Sequence, residues 1–179
     1  MTWTPTLTRR VDDGRLVELS LGNRLVDEYL AFVGARLRPN SWLAVAYDLK
    51  VFFTVVGKDP AEVDVHDVLA FLADQRRPRR GERVQRLEDG ERGLSARTLR
   101  RRLSSLSGLF DYLQIREVVE RNPVPRGPLA RGRRDQRRGR APLIRTPRTL
   151  PRVLLPAEVD SFLVALRRHR DRAMVLAML

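Results

Sequence analysis

Near the middle of the chain, Ser95, Arg97, Thr98, Arg100 and Arg101 crowd hydrogen-bond donors into one short stretch. Guanidinium groups present a rigid fork of N–H donors that matches the oxygens of phosphate and carboxylate. Hydroxyls beside them add donors of a second kind. Such a set suits binding an oxyanion rather than cleaving bonds, because no general base stands within it to activate a hydroxyl. Ser41 and Lys50 offer the same chemistry more sparsely, and Arg133, Arg134, Arg137 and Arg138 offer it densely.

Other chemistries find little support. The chain has no cysteine, which excludes disulfide scaffolds and thiolate metal sites. His66 and His169 are isolated, with no partner at metal-ligand spacing, and are read as surface residues. "GERVQRLEDGERG" (81–93) contains glycines but lacks the helix-opening lysine of a phosphate loop. No catalytic residue, metal or cofactor is therefore expected. No secretory leader or membrane span is read either, since the apolar runs fall far short of the roughly 20 residues that cross a bilayer. A cytoplasmic location follows as the expectation.

Charge agrees with an anionic partner. The chain carries 35 basic and 22 acidic residues in 179, a net charge of +13. Between Arg121 and Arg152 stand eleven arginines and one acid, Asp135, among six prolines and three glycines. This stretch has little with which to form a core and reads as a linker. It is either a solvated spacer or an arm on a nucleic-acid backbone, and the density of like charge favours the arm.

The elements that must position these residues read as helices, and the fold class expected is all-α: a four-helix bundle, a basic linker and two further helices. The first helix is read over 20–37, with Leu25, Tyr29, Phe32 and Arg36 on one side, Val33 and Leu37 flanking, and Pro39 ending it. The second, 40–57, is capped by Asn40 or Ser41, ends at Gly57, and turns Trp42, Ala46, Leu49, Phe53 and Val56 inward. The third is 64–76, capped by Asp64, with Val68 and Leu72 inward. The fourth, 95–117, has Ser95 as its cap and a stripe of Leu99, Leu103, Leu106, Phe110 and Leu113. Arg97, Arg101, Ser104 and Gly108 fall opposite that stripe, and Ser105 is read with them as a small residue that lets the face approach a flat partner. A face of this kind suits a DNA groove, and it also suits plain solvation. "RLVELS" (15–20) has a weak strand signal. After the linker, 155–168 has Leu155, Val159, Phe162 and Leu166 as its stripe, and a last helix starts near Asp171.

Taken in order, these segments resemble the tyrosine recombinase, or phage integrase, family. Ser41, Tyr47, Asp48, Leu49 and Phe52 match the second helix of its core-binding (SAM-like) domain, with Ala44 where threonine is usual. Ser95, Ala96, Thr98, Arg102, Leu103, Ser104, Leu106, Phe110, Tyr112 and Leu113 match the fourth, with Ser107 where arginine is usual. "RNPV" (121–124) resembles the end of that domain. "TLPRVLLPAEVDSFL" (149–163) and "RDRAMVLAML" (170–179) resemble the opening of the catalytic domain. The resemblance implies an N-terminal extension (1–19), a core-binding domain (20–121), an Arg/Pro-rich linker (122–152) and the truncated start of a catalytic domain (153–179). It implies duplex DNA as partner, with Ser41, Lys50, Ser95, Arg97, Thr98, Arg100 and Arg101 on it and Arg133, Arg134, Arg137 and Arg138 along its backbone. The family's catalytic arginines and tyrosine nucleophile find no match here. Tyr29, Tyr47 and Tyr112 lie in bundle helices and are read as packing residues. Full-length relatives act as tetramers on DNA, whereas this chain is expected to be monomeric off DNA. Two other readings stay open: a standalone basic regulator or RNA-associated protein, and a helical bundle whose last helices dock on a protein.

Overall fold

The computed structural model describes residues 3–77, 93–125, 144 and 153–178. The chain divides into two compact units, Met1–Thr146 and Pro147–Leu179.

The first unit opens with a hairpin, which corrects the all-α expectation. Strand β1 (Thr8–Asp12) pairs antiparallel with β2 (Arg15–Ser20), from Thr8 opposite Ser20 to Asp12 opposite Arg15. Asp13 and Gly14 join them at φ 46° and 73°, the left-handed pair that a tight hairpin turn requires. The fold class is thus mixed, helices with a two-stranded sheet. The weak strand signal at 15–20 coincides with β2, whereas β1 was not read, for a physical reason. All of β1 is exposed, and in β2 only Leu19 is buried, so neither strand needs a period of two. Asp-Gly was the legible signal.

The stretch 1–19, read as an extension, supplies this hairpin and an anchor before it. The Trp3 ring lies 5.0 Å from that of Phe53, and its Nε1 donates to the Leu21 carbonyl at 3.0 Å. The Arg9 guanidinium sits 5.4 Å over the Tyr47 ring and donates to its hydroxyl, tying the hairpin to the second helix.

Helix α1 (Arg24–Gly34) starts at Asn23, whose side chain accepts from the Leu25 and Val26 amides. Its buried residues are Val26, Tyr29, Leu30 and Val33, so the inward face is rotated from the one expected. Leu25 and Phe32 are apolar too, so the pattern allowed either phase; Phe32 stacks on Tyr112 near the surface instead. Helix α2 (Pro39–Val56) begins at Pro39 rather than after it, since proline suits a first turn whose N–H has no partner. Neither Asn40 nor Ser41 is its cap; Arg38 takes that position without a side-chain bond. Gly57 closes the helix at φ 67°, its N–H reaching the Phe53 carbonyl. Helix α3 (Val65–Arg76) starts on a reciprocal pair, Asp64 with Asp67. Helix α4 (Ala96–Ile115) buries all five residues of its expected stripe, and Leu109 as well. Phe52, Phe53 and Phe71 meet edge to face in the core. Val124 and Ile144 are buried in the same cluster.

The second unit holds α5 (Pro156–Ala165) and α6 (His169–Leu176). Neither helix has a buried residue, so the stripe expected from Leu155 to Leu166 is not buried, with Phe162 48% exposed. No described helix is long and apolar enough to cross a membrane.

Candidate nucleic-acid interface

The side chains that organise the middle of the bundle converge on Asp48. Its place on α2, between buried Ala46 and Leu49, puts a carboxylate in the interior at 2% exposure. A charge there must be met by partners. Arg101 of α4 donates through Nη1 to Asp48 Oδ2 at 2.7 Å, and Ser105, one turn on, donates to the same oxygen at 2.9 Å. Arg102 brings its Nε to 3.8 Å from Oδ1 and donates through Nη1 to Gln75 of α3. Burial pushes the Asp48 carboxyl above the ordinary carboxylate value; the Ser105 bond and the Arg101 and Arg102 charges pull it back. The cluster joins α2, α3 and α4 through one acid.

The expected face of α4 divides accordingly. Arg97 and Arg100 are exposed. Arg97 enters no ion pair among the described residues and projects from the first turn of α4. Arg101 keeps 51% of its side chain exposed while holding Asp48, so part of its guanidinium still faces water. Ser95 and Thr98 are engaged with one another: Ser95 accepts from the Thr98 amide at 3.2 Å, and their hydroxyls lie 3.0 Å apart. They build the helix start on which the arginines ride. Ser104 is exposed.

Two small residues expected on the outer face are instead packing positions. Ser105 is buried on Asp48. Gly108 faces α1: a Cβ there would meet the Tyr29 hydroxyl at 2.5 Å. Their smallness serves close approach of helices rather than of a partner.

On α2, Ser41 is exposed, and Lys50 is half-buried along an open groove of about 650 Å³ shared with Tyr47, Thr54, Val55, Gln75 and Arg77. Gln75 also receives Arg102, so the groove and the Asp48 cluster adjoin. Arg133, Arg134, Arg137 and Arg138 lie outside the described residues. His66 and His169 are exposed. Tyr29 is buried, Tyr112 stacks against Tyr29 and Phe32, and Tyr47 is held by Arg9.

Sequence reasoning passed over Asp48, Ser105, Arg102 and Gln75 as a group. The available signal was an aspartate between buried positions of α2, with arginines flanking the buried stripe of α4. Chemically, the arrangement offers exposed guanidinium groups on α4, one of them bonded from behind by a buried carboxylate. Compared with family models, curated proteins and solved structures, the chain matches none.

Proposed function

We propose that this chain binds duplex DNA through the first turns of α4, as the core-binding part of a tyrosine recombinase. The observation that carries the reading is the pair Arg97 and Arg101. They sit one turn apart on α4, both exposed, on a helix whose opposite face is locked in the core. Residues four apart on a helix are neighbours, so two adjacent phosphates are within their joint span. Ser41 and Lys50 lie on opposite faces of α2 and are proposed as separate further contacts, Arg100 adds a third cation beside the pair, and the arginines at 133, 134, 137 and 138 supply charge along the backbone. The net charge of +13 supports a polyanionic partner. The motif resemblance supports DNA over RNA. Strand cleavage is no part of this reading, whose residues bind and position. Full-length relatives would assemble as tetramers on DNA; this chain is proposed to be a monomer off it, cytoplasmic and nucleoid-associated when bound.

The test is duplex binding measured across salt concentrations. If about 6–10 phosphates are neutralised, affinity falls about 10³–10⁵-fold between roughly 50 and 200 mM salt. Arg97→Ala is expected to weaken binding uniformly across sequences and to lower the salt slope by about 1. A salt-insensitive complex would sink the reading. Preference for structured RNA in direct competition would replace it with an RNA-associated role.

A further inference from the structure

Resting on that reading, we infer that Asp48 is a positioning residue for DNA binding: it holds Arg101 in the geometry that meets a phosphate. A free surface arginine samples many rotamers and must lose them on binding. On this inference Arg101 gives them up before contact. Its Nη1 is bonded to a carboxylate that is itself buried and fixed by Ser105. The carboxylate approaches from the core side, and half of the Arg101 side chain remains exposed. A guanidinium carries five N–H donors, so one bond to Asp48 leaves an edge for an oxyanion. Arg97, one turn earlier, and Ser104, nearly a turn later, are exposed on the same face, so a phosphate at Arg101 meets further donors.

Coulomb's law and positioning predict opposite signs for one substitution, which makes the inference testable. Asp48 is an anion behind the proposed phosphate seat. By charge alone, Asp48→Asn removes a repulsion and tightens DNA binding. If Asp48 acts by holding Arg101, the same variant weakens binding about tenfold, because the arginine must then be ordered at the moment of contact. The salt slope stays as in the parent, since the Arg101 charge remains. Arg101→Ala weakens binding and also lowers the slope by about 1.

The full chain and its variants should be titrated with one duplex over a range of salt, with nitrogen relaxation of the Arg101 guanidinium followed in the free protein. Expected are a rigid guanidinium in the parent, a mobile one in Asp48→Asn, and weaker binding at unchanged slope. Binding equal to or tighter than the parent in Asp48→Asn overturns the inference, as does an Arg101→Ala variant with parental affinity and slope. If Asp48→Asn does not fold, Arg101→Lys serves instead: it alters a half-exposed site, keeps the charge and loses the planar fork. It is expected to keep the slope and lose affinity, and parental affinity in that variant also overturns the inference. Failure of the parent to bind duplex DNA, or parental binding by Arg101→Ala, would count against the proposed function as well, whereas weakened binding by Arg101→Ala with parental binding by Asp48→Asn counts against this inference alone.

Discussion

Gly108 shows how one atom's absence sets a helix spacing. A methyl there would meet the Tyr29 hydroxyl at 2.5 Å, far inside contact distance, and the Tyr29 ring is buried and cannot swing clear. Gly108→Ala is therefore expected to destabilise the fold by about 1–3 kcal/mol in urea unfolding, although alanine is the better helix former. In a Tyr29→Phe background the obstructing oxygen is gone, and the same change should become neutral or stabilising by up to about 1 kcal/mol. Equal losses in both backgrounds would show that the hydroxyl is not the obstacle. From sequence, Gly108 looked like an opening on an outer face, because helical periodicity places a residue at an angle but does not say which neighbour fills that angle. Ser105 was misjudged likewise: its hydroxyl hides its burial until Asp48 is seen opposite.

At the scale of elements, α4 was the most legible part of the chain. Its five-residue stripe and its Ser95 cap were both readable, because burial on one side and charge on the other leave one phase for the helix. In α1, apolar residues at 25, 26, 29, 30, 32 and 33 cover too wide an arc to fix its phase, and the inward face was misplaced. The hairpin was harder still: only the weak signal at 15–20 pointed to β2, since strands that bury almost nothing carry little alternation. Ser95 illustrates the difference between building a site and being one. Its hydroxyl is spent on the Thr98 amide and faces the Thr98 hydroxyl. Ser95→Ala is expected to cost about 1 kcal/mol of stability. At temperatures where the variant is folded, DNA affinity at fixed salt should be unchanged. A loss of affinity at the parental salt slope would instead place the uncharged Ser95 hydroxyl on the DNA.

For the whole molecule, net charge is concentrated in one stretch of sequence. The eleven arginines between 121 and 152 carry most of the net +13, while the bundle residues that hold Arg97 and Arg101 are nearly balanced in charge. On the proposed reading, long-range attraction comes from the first stretch and the close contacts of Arg97 and Arg101 from the second. Replacing Arg133, Arg134, Arg137 and Arg138 together by alanine should lower the salt slope by about 3–4 and leave urea stability unchanged. An unaltered slope would mean that these arginines stay off the DNA. Composition alone gave this division, because net charge needs no fold to be read. The Asp48 cluster was illegible for the converse reason: it exists only once three helices are packed.

Val124 and Ile144, both buried in the bundle core, bracket the densest arginines. Both positions are therefore fixed on one core, although nineteen residues separate them in sequence. An intact chain makes the burial of Ile144 an event within one molecule, favoured by the high effective concentration that covalent linkage supplies. A single proteolytic cut among those arginines would turn it into an encounter between two fragments. Dilution would then part them, and Ile144 would leave the core with the C-terminal fragment.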